Sequence, residues 1–214
     1  MDAERKESST PETAFGKYGQ FFALLDSEIC EYMPQGAPFM IGESSESGKA
    51  AIDITPECPC FSVRCLDDRN NIRSLPFFNK TWTAVTQCAD HIVFLFVDGN
   101  WILHVFECKR TPTEKKWEKI LKQFSGAVIR AYAVAGVLRI PEFSGVHLHC
   151  CYRKNKSSPA TLKTLPGRPA PKNYLKAPIT LDSYPKLAVK NAPVELNQDG
   201  YADVRLHERG VTRN

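Results

Sequence analysis

Two apolar stretches separated by a short polar turn form the clearest pattern in the chain. Val93 to Val97 and Trp101 to Phe106 are both nearly continuous apolar runs. Strands of this kind are covered on both faces, so they lie in the centre of a sheet. Asp98 and Gly99 stand between them as a strong signal for a two-residue turn. The pattern therefore predicts a β-hairpin in the middle of a β-sheet.

The segment after the hairpin has apolar residues at helical spacing from Pro112 to about Val137. Thr111 fits the N-cap, Pro112 the first helical position and Glu114 the capping-box position. The helix predicted here carries an apolar stripe along one side. Its members are Trp117, Ile120, Leu121, Phe124, Val128, Ala131 and Ala135.

The other elements are predicted from shorter signals. Phe21 to Met33 is apolar at helical spacing and predicts a first helix. Ala50 to Phe78 is strand-like but interrupted by prolines, and Val146 to Tyr152 predicts another strand. The remainder is punctuated by prolines and is expected to be extended and loop-rich. A run of strands with a helix packed across them predicts an α/β domain with a mixed sheet.

Length and composition indicate one domain with extensions. The chain has 214 residues and a hydrophobic fraction of 43%, enough for a substantial core. We expect a disordered N-terminus over residues 1–15, a core over 16–152 and a basic, proline-rich C-terminal extension over 153–214. No apolar run is long enough to span a bilayer. The polar start has no apolar signal core, so we expect a cytoplasmic protein that does not enter membranes.

The eight cysteines are expected to be reduced thiols in that compartment. Cys58, Cys60, Cys65 and Cys88 could be taken as a zinc set. However, Cys58 and Cys60 lack the usual two-residue spacer, and no second close pair follows. Structural zinc is therefore the minor alternative.

Three charged residues, Asp90, Glu107 and Lys109, lie in or beside the apolar strands. Charge there is costly to bury unless it is paired or binds a metal. If the turn has two residues, the pairing that runs outward from it places Asp90 directly opposite Glu107. Directly opposed residues project on the same face of a sheet. Lys109 is two residues beyond Glu107 and shares that face.

This arrangement of side chains has a specific chemistry. Two carboxylates held together repel, and one would be driven toward protonation. A divalent cation removes that conflict, and hard oxygen ligands suit Mg²⁺ or Mn²⁺. A neighbouring ammonium can position a metal-activated water or neutralise a phosphate. Carboxylates and a lysine beside a metal are what phosphodiester hydrolysis requires.

The order of these features resembles the PD-(D/E)XK nucleases, the restriction-endonuclease-like superfamily. The matching segments are CADHIVF around Asp90, HVFECKR around Glu107 and Lys109, and KILKQFSGA around Gln123. Ala89 replaces the proline that gives the motif its name. The resemblance implies an α/β fold of the restriction-endonuclease-like class, with a central mixed β-sheet flanked by helices.

The resemblance also implies roles for single residues in a metal-dependent nuclease. Asp90 and Glu107 would bind Mg²⁺ or Mn²⁺, and Lys109 would assist the attacking water. A glutamate on the first helix often completes such a site. The candidates for that glutamate are Glu28 and Glu31, of which Glu28 is preferred.

Several alternatives stay open on the sequence alone. Gln123 faces either the sheet, where it would support the site, or the solvent. The chain could also be a catalytically inactive nuclease-fold protein that acts as a nucleic-acid-binding or protein-interaction module. A third interpretation is a structural α/β domain in which Asp90, Glu107 and Lys109 form a chance cluster.

Basic residues indicate where a nucleic acid would bind. From Tyr152 to Lys190 the chain is rich in Lys, Arg and Pro, with Asp182 its one acid. Arg153, Lys154 and Lys156 belong either to a solvated insertion or to an arm that contacts phosphates without reading sequence. The expected partner is nucleic acid, with DNA first and RNA as the alternative. A homodimer is compatible with the resemblance, because many such nucleases dimerise to cut two strands.

The lysines of the predicted helix have two interpretations as well. They are first of all a solvated helix face, and phosphate contact is the second interpretation. The residues are Lys115, Lys116, Lys119 and Lys122.

Overall fold

The structure is a computed structural model of the chain. It describes residues 10–45, 48–65, 86–109, 112, 114–153, 175, 178–181 and 183–214. Within this part the chain forms a mixed α/β fold built from two β-sheets, one long helix and a short helical N-terminal segment.

The elements follow one another in an order that alternates between the two sheets. The helical elements are α1 (Pro11–Phe15), a 3₁₀ helix (Gly16–Leu24) and α2 (Glu114–Leu138). The strands are β1 (Cys30–Met33), β2 (Phe39–Ser45), β3 (Gly48–Pro56), β4 (Cys60–Arg64), β5 (His91–Val97), β6 (Asn100–Lys109), β7 (Gly145–Arg153), β8 (Lys190–Asn191), β9 (Val194–Leu196), β10 (Tyr201–His207) and β11 (Gly210–Arg213).

Among the described residues, the first sheet is mixed and has seven strands. Its order is β1-β4-β5-β6-β7-β8, and β9 also pairs with β7. The neighbouring strands β1, β4, β5 and β6 pair antiparallel, whereas β7 is parallel to β6, β8 and β9. The second sheet has four strands in the order β11-β10-β3-β2, with β10 parallel to β3.

The first sheet is covered on both faces, but by different elements. On β6, Leu103 and Val105 belong to the core beneath α2 and the N-terminal helices. Ile102 and Phe106, which alternate with them, belong to the core between the two sheets. This double coverage explains why β5 and β6 are apolar along nearly their whole length. It also means that Glu107, which shares the parity of Leu103 and Val105, projects toward the side of α2.

The central hairpin is confirmed at the level of register. Asp98 and Gly99 have φ angles of 48° and 82°, the left-handed values that a tight hairpin turn requires. Val97 pairs with Asn100, and the ladder continues outward to His91 and Phe106. The predicted helix and the predicted strand near residue 146 are confirmed as α2 and β7. The proposed N-cap, Thr111, lies outside the described residues.

The predicted first helix is wrong in its second half. The 3₁₀ helix ends at Leu24, and Cys30–Met33 forms β1, which pairs antiparallel with β4. The apolar residues of Cys30–Met33 therefore belong to a strand and not to a helix. Hydrogen bonds to a partner about thirty positions away outweigh the local helical spacing.

The stretch after Arg153 is more regular than the loop-rich extension that was predicted. Residues 190–213 contain four strands, of which β8 and β9 extend the first sheet and β10 and β11 build the second. The short strands are separated by turns at Gln198–Asp199 and Glu208–Arg209. Pairing with β3 and β7 makes this C-terminal part a component of both sheets.

Three histidines pack against one another between the sheets. The ring centroids of His104 lie 4.8 Å from His147 and 5.3 Å from His149, with nearly parallel planes. The Nδ1 atom of His149 donates to the carbonyl oxygen of Ala192 at 2.8 Å. The Nε2 atom of a neutral His149 therefore accepts from the Nδ1 atom of His104, 3.1 Å away. This chain of bonds requires the His149 ring to be neutral.

Burial and neighbouring positive charge favour the neutral form of all three histidine rings. Burial lowers the pKa of His147 to about 4 and that of His149 to about 3, with a further lowering from Lys190 in each case. Burial also holds the pKa of His104 well below its usual range, and the neighbouring histidines and Lys190 act in the same direction.

The histidine cluster predicts a loss of stability in mild acid. Each ring titrates near pH 6.5 in the unfolded chain and at a lower pH in the folded one, so the unfolded chain binds more protons between those values. Stability is full above about pH 6.5 and falls as the pH falls toward the folded-state pKa values. At pH 5.5 the loss should be on the order of 1.4 kcal/mol for each histidine.

Urea unfolding at pH 7.5 and 5.5 measures this difference, because carboxylates stay largely ionised across that range. His147→Gln should reduce the pH dependence, since it removes one of the titrating rings. An identical pH dependence in this variant and the wild type would contradict the assignment.

Candidate functional site

Asp90 and Glu107 lie at the same end of the central hairpin. Asp90 immediately precedes β5, and the pairing of β5 with β6 ends at His91 and Phe106, one position before the two acids. The Oδ2 atom of Asp90 accepts the backbone N–H of Cys108 at 2.6 Å. This bond fixes the half-buried carboxylate of Asp90 against β6, at the residue that follows Glu107. The predicted pair of acids lies one position beyond the last observed pair of the ladder.

Glu107 and Lys109 form an ion pair on the same face of β6. The side chain of Glu107 is 0% exposed, and one of its oxygens contacts the ammonium of Lys109, which is 27% exposed. A buried carboxylate without such a partner would be strongly destabilising. The buried charge of Glu107 is therefore balanced by a partly exposed ammonium.

Cys150 is a further member of this environment that sequence reasoning missed. It lies beside Glu107 on the neighbouring strand β7 and is fully buried. Burial raises the pKa of its thiol most, and the charges of Glu107 and Asp90 raise it further, whereas Lys109 opposes them. Both carboxylates are thus close enough to act on one thiol. The alternating pattern of β7 gave the strand but not its register against β6.

Gln123 faces the sheet, which settles the two orientations that were left open. It is 5% exposed, and its Nε2 atom donates to the carbonyl oxygen of Cys88 at 3.3 Å. Its backbone carbonyl oxygen accepts the N–H of Ala89 at 3.0 Å. Through these two bonds α2 holds the segment that leads directly into Asp90.

Glu28 does not lie on a helix, contrary to the prediction. It is exposed in the turn before β1, and its carbonyl oxygen accepts a bond from Arg64 at 3.0 Å. Since β4 lies between β1 and β5, Glu28 is separated from Asp90 by a strand. Glu31 is an exposed residue of β1 itself. The formation of β1 in place of a helix removes the element that was expected to supply a third acid.

The basic residues predicted to bind nucleic acid are described only in part. Arg153 is the last residue of β7 and is half-buried. Lys154 and Lys156 lie outside the described residues.

A divalent cation such as Mg²⁺ requires several oxygen ligands. Among the described residues, no group of three or more His, Cys, Asp or Glu side chains is arranged to hold a metal. Asp90 and Glu107 supply two carboxylates whose charges both act on the thiol of Cys150. Mg²⁺ is commonly bound by one or two carboxylates, with waters and substrate phosphates completing its octahedron. The pair therefore fits Mg²⁺ or Mn²⁺ better than it fits a metal held by protein ligands alone.

Comparisons with known proteins add no relative. Neither the known protein families, nor the curated proteins, nor the solved structures contain a match to this chain. Within the described residues, every helix is too short or too polar to cross a membrane.

The paired carboxylates predict a metal-dependent gain in thermal stability. A cation that relieves repulsion between Asp90 and Glu107 binds the folded chain only, so millimolar Mn²⁺ or Mg²⁺ should raise the melting temperature. The gain corresponds to about 2.7 kcal/mol when the metal is at a hundred times its Kd. Differential scanning fluorimetry across a metal series provides the measurement.

Glu107→Gln should abolish that gain, and Glu31→Gln is the matched control because Glu31 is exposed on another strand. The control should respond to metal like the wild type. A wild-type melting temperature that stays constant across millimolar metal would refute the carboxylate site.

Proposed function

We propose that the protein is a metal-dependent nuclease that hydrolyses phosphodiester bonds of nucleic acid, with DNA as the first expected substrate. The observation that carries the proposal is the ion pair of Glu107 and Lys109 beside Asp90, whose carboxylate accepts the N–H of Cys108. Two acids and a lysine at one edge of a sheet meet the requirements of metal-assisted phosphodiester hydrolysis.

The order of the elements around the site supports the same proposal. Strands β4, β5 and β6 pair antiparallel, α2 follows, and β7 then returns parallel to β6. This order agrees with the strand, hairpin and helix arrangement on which the resemblance to PD-(D/E)XK nucleases rests. We therefore propose a restriction-endonuclease-like core in which α2 covers one face of the mixed sheet. The second sheet covers the opposite face, where further helices were expected.

Each residue of the proposed site has a distinct task. Asp90 and Glu107 would hold the cation, which when bound lowers the pKa of a water and stabilises charge on the phosphate. Asp90 is kept in place by the N–H of Cys108, and Gln123 holds the chain just before it. The partly exposed ammonium of Lys109 can orient the attacking water or neutralise the phosphate without leaving the neighbourhood of Glu107.

A substitution of Lys109 distinguishes an effect on catalysis from an effect on nucleic-acid binding. Lys109→Ala should lower cleavage at least about a hundredfold, the scale for loss of one electrostatic or acid–base group. Affinity for nucleic acid should change much less, because other Lys and Arg residues supply most of it. Lys122→Ala is the control, since Lys122 forms an exposed ion pair with Glu118 on α2. Cleavage and binding are measured side by side on plasmid, single-stranded DNA and RNA with Mg²⁺ or Mn²⁺.

Two outcomes for the wild type would replace the proposal. Binding of nucleic acid without metal-dependent cleavage of any substrate would favour the inactive nuclease-fold protein. Neither binding nor cleavage would indicate that Asp90, Glu107 and Lys109 form a chance cluster in a structural domain.

Removing Arg153 and the two lysines that follow it in the sequence tests binding instead of catalysis. The triple substitution Arg153→Ala, Lys154→Ala and Lys156→Ala should weaken binding and make its salt dependence shallower, because fewer phosphates are neutralised. Turnover should stay near normal once substrate saturates the enzyme. A salt dependence equal to that of the wild type would show that these residues make no phosphate contact.

A further inference from the structure

One side of α2 carries exposed cations beside the candidate site. Lys116 and Lys119 are both exposed, and they precede Gln123 by seven and four residues. Residues four and seven apart in a helix lie on nearly the same side. Lys116 and Lys119 therefore occupy the side of α2 to which Gln123 belongs, on the turns that follow the end of β6.

The contacts of Gln123 show which segment of the chain packs against this side of α2. The side chain of Gln123 donates to the carbonyl oxygen of Cys88, and its backbone carbonyl accepts the N–H of Ala89, so this side of α2 packs against the segment just before Asp90. Arg130 follows Gln123 by seven residues and lies on the same side of α2. Burial is the main cause that raises the pKa of the Cys88 thiol, and the guanidinium of Arg130 opposes it. We call Lys116, Lys119 and Arg130 the α2 cationic edge.

Acidic side chains are exposed on the other side of the hairpin. Asp26 and Glu28 are exposed in the segment before β1, and Glu31 is exposed on β1. This group lies across β4 from the hairpin, on the side away from β7, with the exposed Arg64 of β4 between them. A polyanion that approaches Asp90 and Glu107 therefore meets exposed lysines on the side of α2, and three acids beside a single arginine on the side of β1.

We propose that the α2 cationic edge binds the phosphodiester backbone of the substrate and guides it to Asp90 and Glu107. The inference rests on the proposed nuclease function and adds the surface along which the nucleic acid lies. Lys116 and Lys119 contact phosphates and not base edges, so this binding is independent of sequence. The backbone enters along the first turns of α2, and the β1 side is not contacted.

The test is a double substitution with a charge-matched control. Lys116→Ala with Lys119→Ala removes two cations from the edge. Lys17→Ala with Lys122→Ala removes two cations from elsewhere, since Lys17 lies in the 3₁₀ helix and Lys122 is one residue, about 100° around the helix, from Gln123. Fluorescence anisotropy of labelled DNA and RNA oligonucleotides, without metal and over a series of salt concentrations, reports affinity.

The edge variant should bind on the order of tenfold more weakly than the wild type at low salt, and the slope of log K against log salt should fall by about 2 on duplex DNA. The control variant should keep the wild-type slope. Both variants should keep the wild-type melting temperature, and the edge variant should keep its cleavage rate at saturating substrate.

The outcomes separate this inference from the proposed function. If the wild type binds and cleaves while the edge variant binds as tightly as the wild type, the inference is overturned and the nuclease proposal stands. Equal losses in the edge and control variants also overturn the inference, because the effect is then one of net charge. A wild type that neither binds nor cleaves overturns both.

Discussion

The register of the β5–β6 hairpin is the constraint on which the candidate site depends. Left-handed backbone at Asp98 and Gly99 closes the turn with two residues, and every pair outward from it follows. A shift of one residue would send Glu107 to the opposite face and separate it from Asp90. The apolar faces on both sides prevent such a shift, because it would turn the residues of one core toward the other.

Within that register, the ion pair of Glu107 and Lys109 resolves a conflict between folding and chemistry. A fully buried carboxylate is unfavourable, and a second carboxylate opposite it makes the repulsion stronger. Lys109 offsets this with its ammonium, and the N–H of Cys108 binds Asp90 separately. The two acids therefore remain together without being paired to each other. In the proposed function the same feature leaves them ready to share a cation.

The sequence predicted the elements whose signals are local. The hairpin follows from its turn residues and apolar strands, and α2 follows from its periodicity. The opposition of Asp90 and Glu107 then needs only the length of the turn. Two elements stabilised by distant pairing were not predicted. Residues 30–33 join β4 as a strand, and β10, in the stretch expected to be loop-rich, pairs with β3 more than a hundred residues earlier in the chain.

The same reason accounts for the parts of the site that were missed. Cys150 lies beside Glu107 because β7 pairs in parallel with β6 after the whole of α2, and no local pattern fixes that register. Glu28 was assigned through a helix that does not form. Gln123 could be placed on α2, but its direction depends on its contacts with Cys88 and Ala89.

The central claim is that Asp90 and Glu107 together bind one divalent cation at the substrate phosphate. Electron paramagnetic resonance of Mn²⁺ titrated into the protein, with a non-hydrolysable phosphorothioate oligonucleotide present, counts bound ions directly. The account predicts one ordered Mn²⁺ per chain in the wild type, lost in both Asp90→Asn and Glu107→Gln and retained in Glu31→Gln. Mn²⁺ binding that survives both site substitutions, or no ordered Mn²⁺ in the wild type, would contradict it.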